Sequence, residues 1–185
     1  MGRRPRRAEL LAIAADLFAA RGFANVTVDD LGAAAGVSGP ALYHHFSGKE
    51  ALLGEMLVGI SQFLLDGGTA VVTAGGDDVL KRLVAFHATF AVDDRSLITG
   101  YFRDMVHALD DDQRRIRRLQ AQYASLWVEE LLTTTPALDK RTATATVHAT
   151  FGLLNSTPFA STLPRAPMLE LLSRLAIASL GAAKP

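Results

Sequence analysis

Only a few residues in this chain have the types and spacing that catalysis or metal binding requires. Asp104 and His107 are three positions apart, so on a helix they share a face, and pairing with His87 or His148 would make a metal site or an acid–base pair. The chain has no cysteine, and it lacks the His-Glu-x-x-His, nucleophile-elbow and phosphate-loop motifs. We expect no enzyme, no catalytic residue, no metal and no cofactor, with a metal-responsive protein as the alternative.

A different chemistry, contact with phosphate groups, suits the residues from Tyr43 to Lys49. Tyr43 and His44 carry hydrogen-bond donors, and Lys49 adds a positive charge. Residues 47–50 read Ser-Gly-Lys-Glu, a capping box that places the free N–H groups of a new helix beside this lysine. The segment therefore predicts a site for phosphate groups at the start of a helix.

The residues before this segment predict two short helices around a glycine turn. Thr27 is a good N-cap for a helix over Val28–Ala35, and Gly36 can take the left-handed conformation that ends it. Ser38 caps the next helix, with Pro40 in its first turn. Two helices joined in this way form the helix-turn-helix, which lays its second helix in the major groove of DNA. An upstream helix with an apolar stripe packs on them: Leu10, Ile13, Ala14, Leu17 and Phe18.

These motifs together identify a family. The sequence ARGFANVTVDDLGAAAGVSGPALYHHFSGKEALL resembles the DNA-binding domain of the TetR family of bacterial repressors, over roughly residues 8–54. The shared features are the Phe before a short loop, the Thr at a helix start, the Ala-Gly-Val turn, Leu-Tyr-x-His-Phe and Lys-Glu-x-Leu. The resemblance implies an all-α fold of about nine helices, with a three-helix DNA-binding domain followed by a helical ligand-binding and dimerisation domain.

Gly32 departs from the family pattern, because the family usually has Ala where this helix faces the recognition helix. A glycine inside a helix costs about 1 kcal/mol relative to Ala. We therefore expect either a closer approach of the two helices or a looser one.

The resemblance also implies roles for individual residues. Thr27, Tyr43 and Lys49 match phosphate-contacting positions, His44 contacts phosphate or base, and residues 39–41 lie where the helix meets base edges. Residues 39–41 have no side chain with a hydrogen-bond donor that could reach a base edge. Specificity for a DNA sequence must therefore depend on DNA shape, on contact with thymine methyl groups or on the N-terminal arm. The expected DNA-binding residues are Arg3, Arg4, Arg6, Arg7, Thr27, Ser38, Gly39, Pro40, Ala41, Tyr43, His44 and Lys49.

The N-terminal arm, residues 1–7, holds four arginines. By itself such a segment is equally consistent with a solvated tail. Attached to a helix-turn-helix, it is better interpreted as an arm that reaches into a narrow minor groove.

Composition limits the other possibilities. The 185 residues are enough for one large or two small domains, and we place the domains at 1–50 and 51–185. Net charge is zero, but residues 1–50 hold six Lys and Arg against five acids, so positive charge is concentrated at the arm and Lys49. The absence of cysteine suits a reducing cytoplasm, and we find no signal peptide and no apolar stretch approaching the ~20 residues of a membrane span.

The remaining patterns predict helices over about 48–66, 77–92, 94–109, 111–132, 139–157 and 166–180, with Gly67-Gly68 and Gly75-Gly76 marking a loose connection. The last two helices are expected to form a homodimer, since helix-turn-helix proteins read two half-sites about one DNA turn apart. One carries an apolar stripe and the other small residues: Leu169, Leu172, Leu175, Ala176 and Leu180, and Ala145, Ala149, Gly152 and Ser156. The alternative is that both helices only complete the core of the monomer.

By the same resemblance, the middle helices hold a pocket for a small, mostly apolar effector. The candidate lining residues are largely aromatic: Phe86, His87, Phe90, Tyr101, Phe102, Met105, Tyr123, Trp127, His148, Phe151, Leu154 and Asn155. Two alternatives remain: many of these residues belong to an ordinary core, or the arginines of residues 114–118 bind an anionic effector. A dimeric helical ligand-binding protein without a role on DNA is the further alternative for the whole chain.

Overall fold

The computed structural model describes residues 7–160 and 162–182, and all regular secondary structure in those ranges is helical. The all-α class is thereby confirmed. Within these ranges nine helices correspond to predicted ones, and α9 is an additional single turn. The helices are α1 Arg7–Arg21, α2 Val28–Ala34, α3 Gly39–Leu42, α4 Lys49–Thr73, α5 Val79–Asp93, α6 Arg95–Asp104, α7 Asp110–Thr134, α8 Lys140–Leu154, α9 Thr157–Ala160 and α10 Arg165–Gly181, with 3-10 turns at Phe23–Asn25 and Met105–His107.

The chain forms two compact units, and their division differs from the predicted boundary at residue 50. The first unit runs to Ile60 and also contains Ser96–Arg117, and the second contains Ser61–Arg95 and the chain from Arg118 onward. Most of α6 therefore belongs with the helix-turn-helix, which no local pattern in the sequence indicated.

The core of the first unit is built on the predicted stripe of α1. Leu10, Ala14 and Phe18 are almost fully buried, as their helical spacing requires. They are joined by apolar side chains of the helix-turn-helix and of α4 and α6: Phe23, Val26, Leu31, Leu42, Phe46, Leu52, Leu53, Leu57 and Ile98. Burial of this apolar surface holds the short helices α2 and α3, which are too short to be stable alone.

In the second unit, α10 packs against α5 and α8. Its predicted dimerisation stripe is partly wrong, because Leu172, Ala176 and Leu180 are buried in the core of this unit. Leu175 of the stripe is exposed, and the other large apolar side chain exposed on α10 is Ile177, which was not in the stripe. The apolar stripe of α10 therefore contains both core residues and exposed residues. The spacing of the leucines does not distinguish the two kinds; their contacts in the folded chain do.

The predicted end of α4 near residue 66 is also wrong. The helix continues through Gly67 and Gly68 to Thr73. A Cβ atom on Gly67 would lie 2.1 Å from Cζ of Phe86, and one on Gly68 would lie 2.6 Å from Cε2 of Tyr123. The glycine pair is therefore a packing notch for two aromatic rings rather than a loose connection.

α4 also differs from the expectation that no segment is long and apolar enough to cross a membrane. Its 25 residues are so by length and composition alone. One such helix is weak evidence for a span. The rings packed on Gly67 and Gly68 show that its C-terminal part contacts protein.

Candidate functional site

The start of α2 has the capping arrangement that the sequence predicts. The Thr27 hydroxyl oxygen accepts a hydrogen bond from the Asp30 N–H at 3.1 Å. The Thr27 N–H and hydroxyl both donate to the Asp30 carboxylate, at 2.8 and 2.6 Å. These hydrogen bonds from Thr27 hold the pKa of Asp30 below its usual range. Both donors of Thr27, a predicted phosphate contact, therefore already have an acceptor within the chain.

The turn between α2 and α3 depends on glycine at two places. Gly36 has φ +67°, the left-handed conformation expected at the end of a helix. A Cβ atom on Gly32 would lie 2.8 Å from the backbone nitrogen of Gly39 and 2.9 Å from the carbonyl oxygen of Val37. Of the two outcomes expected for Gly32, the structure shows the closer approach.

This close approach decides which predicted residues face outward. Ser38, Tyr43 and His44 are exposed, Tyr43 at 57%, and Ala41 is half-buried. Gly39 is buried against α2, so it offers little surface for contact with a base. The side chain of Pro40, and Arg3, Arg4 and Arg6, lie outside the described part of the chain.

Lys49 is engaged with the turn that precedes α2. Its ammonium group donates to the carbonyl oxygens of Phe23 and Val26, at 3.1 and 3.0 Å. It also lies 4.3 Å from the centroid of the Phe23 ring. Two of its three N–H donors thus stabilise the fold, a role that its residue type alone does not reveal.

Arg7 was predicted to end the arm, but it opens α1. Its guanidinium pairs with both carboxylate oxygens of Glu55, with Nε to Oε1 at 2.7 Å, and donates to the His45 carbonyl. It lies 4.4 Å from the centroid of the Phe46 ring. The arginine is therefore held against α4 and the end of the helix-turn-helix.

A polar contact that the sequence analysis missed joins α6 to α1. Asp104 is 3% exposed, and its carboxylate accepts from the Phe23 N–H at 3.3 Å and from Arg103 at 3.0 Å. Arg103 also donates to the carbonyls of Phe18 and Ala19 at the end of α1. The adjacent opposite charges of Arg103 and Asp104 at the end of α6 were the signal that was available.

His107 and Asp104 do not form a metal site here. The His107 ring stacks on Phe23 with centroids 5.0 Å apart, in the first unit, whereas His87 and His148 belong to the second. Within the described ranges, no three His, Asp or Glu side chains come together in a way that would hold a metal ion.

In the second unit, the predicted ligand residues gather around His87. The His87 Nδ1 atom lies 3.2 Å from the Tyr123 hydroxyl and Nε2 lies 3.1 Å from Oδ1 of Asn155. Because an amide oxygen only accepts, Nε2 carries the proton and Nδ1 accepts from the tyrosine. Burial lowers the pKa of His87 to about 4 and raises the pKa of Tyr123. This chain of hydrogen bonds holds a neutral imidazole.

Aromatic rings surround that imidazole. Phe151 stacks on His87 and on Tyr123, with centroids 5.1 and 5.4 Å apart, and Trp127 meets Phe151 edge-on at 5.0 Å. The indole N–H of Trp127 is buried and makes no hydrogen bond of normal geometry among the described residues. A looser contact of this N–H with the Tyr123 hydroxyl opposes the rise in the pKa of Tyr123, because it favours the charged phenolate. A donor without a well-placed acceptor is unusual in a protein interior and suits a ligand oxygen.

The other predicted ligand residues are placed differently. Phe86 and Phe90 lie 5.6 and 6.2 Å from Phe63, an exposed aromatic of α4 that the sequence analysis did not include. His148 is exposed but contacts the edge of Phe151, and Leu154 is in the core. Three more belong to the first unit: Tyr101, Phe102 and Met105.

Known proteins resemble the chain in both sequence and fold. A family model described as "Bacterial regulatory proteins, tetR family" matches residues 10–56. The HTH-type transcriptional repressor KstR2 of Rhodococcus jostii strain RHA1 is 35% identical over 131 residues, which cover 69% of this chain and 64% of KstR2. The chain thus matches somewhat less than two thirds of the length of its curated relatives.

Two solved structures share the fold along nearly the whole chain. The TetR family regulator PfmR from Thermus thermophilus has a TM-score of 0.82 at 21% identity, covering 95% of this chain and 96% of PfmR. The ketosteroid transcriptional regulator KstR2 of Mycobacterium tuberculosis has a TM-score of 0.74 at 23% identity, covering 98% and 96%. With the matched helix-turn-helix and the shared fold beyond it, the chain belongs to the TetR family of bacterial regulatory proteins.

Proposed function

We propose that this protein is a transcriptional repressor that binds operator DNA as a homodimer in the cytoplasm and is released by a small, mostly apolar ligand. The observation that supports DNA binding best is the α2–α3 unit. Its glycine contact fixes α3 closely against α2 and leaves Ser38, Tyr43 and His44 exposed on one short segment. A fixed helix with exposed donors suits insertion into the major groove.

Phosphate contact would come from exposed donors first. Tyr43 and His44 have accessible side chains. Thr27, Lys49 and Arg7 all have partners within the chain, so their contribution requires sharing or exchanging those partners. We therefore propose that Arg3, Arg4 and Arg6 of the arm supply most of the positive charge that binds DNA. Tyr43 and His44 would orient the protein on the phosphate backbone.

The proposed dimer uses the outer faces of α8 and α10. On α8 the small residues Ala145, Ala149 and Gly152 are exposed, and on α10 Leu175 is exposed. Small side chains allow helices from two subunits to approach closely, and the exposed leucine supplies apolar area. Two subunits would then present two α3 helices to a palindromic operator.

The proposed effector site is the aromatic cluster around His87. A ligand with an apolar skeleton and a carbonyl oxygen would give Trp127 N–H its missing acceptor, and Phe151, which is only half-buried, is the ring that must move to admit it. The similarity to a ketosteroid transcriptional regulator favours such a carbonyl compound. α4 contains residues of both units, so a shift of this helix on ligand binding would change the spacing of the two α3 helices. A coupling of about 1–3 kcal/mol gives a 5- to 150-fold release.

DNA binding is tested with two variants of matched exposure. Tyr43 is 57% exposed and Phe102 is 56% exposed, and both lie in the first unit. Tyr43→Ala should weaken binding to the DNA upstream of the gene about fivefold or more in a fluorescence anisotropy titration, since a phosphate contact and its packing are lost. Phe102→Ala should leave the affinity unchanged. Equal affinity of the wild type and Tyr43→Ala, or equal losses in both variants, would contradict the assignment.

The effector site is tested with a ketone and the alkane of the same skeleton. The ketone should raise the dissociation constant of the DNA complex, and the alkane should do so less at equal concentration. Trp127→Phe keeps an aromatic ring but removes the N–H, so the preference for the ketone should fall severalfold while DNA affinity without ligand stays the same. If Trp127→Phe retains the full preference, the indole is not the donor.

A further inference from the structure

A second cavity lies in the second unit, formed by different residues from those of the aromatic cluster. Its volume is about 430 Å³, and it lies between the start of α5, the last turn of α7 and the end of α10. The walls are largely apolar: Val79, Leu80, Leu131, Ile177 and Leu180. This volume falls within the range of small-molecule sites in proteins.

The charged residues that line this cavity are mainly acidic. Asp77, Asp78 and Glu130 line it together with one cation, Lys81. Lys81 is paired with Asp78 at 2.8 Å, so Asp77 and Glu130 are left without a balancing positive charge among the lining residues. Glu130 is half-buried beside the apolar wall, where its charge is screened less than on an open surface.

Helix ends add to this negative potential. α7 and α10 both end at the cavity, at Thr134 and Gly181, and the carbonyl groups of a last turn carry partial negative charge. The start of α5 contributes the opposite sign, because its first N–H groups also face this region of the chain. Arg82 is the second cation near the cavity, because its guanidinium donates to the Gly75 carbonyl beside Gly76. Three carboxylates and two helix C-termini still outweigh two cations and one helix N-terminus.

Thr135 provides an observation independent of charge. It lines the cavity, it is 8% exposed, and its hydroxyl makes no hydrogen bond in the described part of the chain. The neighbouring hydroxyls of Thr133 and Thr134 donate to the carbonyls of Glu129 and Glu130 in their own helix. The Thr135 hydroxyl, unlike these two, is accessible from the cavity, and its oxygen can accept from a ligand N–H.

We propose that this cavity binds an amphipathic organic cation, an alkylammonium ion with a short apolar tail. The ammonium group is bound by the Glu130 carboxylate and the Thr135 hydroxyl, with the carbonyl groups at the end of α7 beside it. The tail packs on Leu80, Leu131 and Ile177. This site is separate from the effector site proposed above and does not depend on it.

Three probes of equal chain length separate charge from apolar burial: n-octylammonium, n-octanol and n-octanoate. In NMR titrations of the full chain at pH 7, octylammonium should bind most tightly, octanol about two- to fivefold more weakly, and octanoate at least tenfold more weakly. The shifted amide signals should be those of residues 77–81, 130–135 and 177–181. Equal binding of octanoate and octylammonium, or shifts confined to the aromatic cluster around His87, would overturn the proposal.

Two neighbouring glutamates supply a matched pair of variants. Glu130 lines the cavity and Glu129 does not, although both lie on α7 and carry the same charge. Glu130→Gln should weaken octylammonium binding about two- to fivefold, the size measured for partly exposed ion pairs, and should leave octanol binding unchanged. Glu129→Gln should change neither. Equal weakening in both variants would show that only the general negative charge of the protein attracts the cation.

Filling the cavity gives a readout that does not depend on charge. Ile177 is 38% exposed and lines the cavity, so Ile177→Trp adds volume without opening the core. This variant should lose octylammonium and octanol binding together while its circular dichroism remains helical. Retained binding of octylammonium in a folded Ile177→Trp would place the cation elsewhere and refute the site.

Discussion

The neutral, buried state of His87 predicts a loss of stability in mild acid. The ring is 2% exposed, and burial lowers its pKa from 6.5 to about 4. In the unfolded chain the same ring is protonated below about pH 6.5. The unfolded state therefore binds more protons between pH 6.5 and 4, and the free energy of unfolding falls as the pH is lowered through this window.

The size of the effect follows from the separation of the two pKa values. Each unit is worth about 1.4 kcal/mol, so the full loss is about 3 kcal/mol and most of it is present by pH 4. Between pH 7 and pH 5, His87 alone accounts for about 2 kcal/mol. This is a large share of the about 5–15 kcal/mol that stabilises a typical domain.

Urea unfolding at pH 5, 6 and 7, at one fixed protein concentration, measures this contribution. His87→Gln keeps a donor and an acceptor but cannot be protonated, so its stability should fall by about 2 kcal/mol less than that of the wild type between pH 7 and 5. His148→Gln removes an exposed histidine and should retain the wild-type dependence. Parallel pH profiles for the wild type and His87→Gln would refute the assignment of a neutral, desolvated imidazole.

Four further substitutions test the packing and polar contacts. Gly32→Ala should destabilise by about 1–2 kcal/mol in thermal unfolding, although it favours the helix, because the new Cβ meets backbone atoms at 2.8 Å. Gly67→Ala should cost less, since it meets the tip of the Phe86 ring, which can move. Asp104→Asn should cost about 1–2 kcal/mol, because the buried carboxylate that accepts from Arg103 and from the Phe23 N–H loses its charge, while Arg103 itself stays in contact with water. Lys49→Ala should lower the free energy of unfolding by about 1–2 kcal/mol, and an unchanged value would contradict its structural role. If the ammonium group also contacts a phosphate, the same variant should reduce the salt dependence of DNA binding by about one ion per subunit.

The helix-turn-helix could be predicted from sequence because its signals are local. The Thr27 cap, the left-handed Gly36 and the apolar spacing of α1 each act within one or two helical turns. The family resemblance depends on the same residues. The predicted helix boundaries were close wherever such signals exist, as at the start of α8 after the capping residue Asp139.

What the sequence could not give depends on contacts between distant residues. Gly67 and Gly68 look like a break until the rings that fill the space above them are known. Leu172 and Leu175 are the same residue type on one helix, yet one is in the core and the other is exposed. The assignment of most of α6 to the first unit depends on the buried Asp104 carboxylate and its neighbour Arg103, whose partners on α1 and the following turn are more than eighty positions away along the chain.

Two of the residues that were predicted to contact DNA, Thr27 and Arg7, have their donors engaged within the chain. A residue type shows that a donor exists, but the structure shows that the Thr27 donors are engaged by Asp30 and those of Arg7 by Glu55. A phosphate would compete with these carboxylates, which are ionised near neutral pH; the hydrogen bonds from Thr27 keep the pKa of Asp30 below its usual range. The contacts of Thr27 and Arg7 therefore add little net attraction for DNA, although Arg7 also holds the His45 carbonyl, two residues after Tyr43. The affinity should therefore depend more on the N-terminal arm than on Thr27, so removing residues 1–6 should weaken DNA binding and lower its salt dependence more than Thr27→Ala does; an equal loss in both variants would contradict this order.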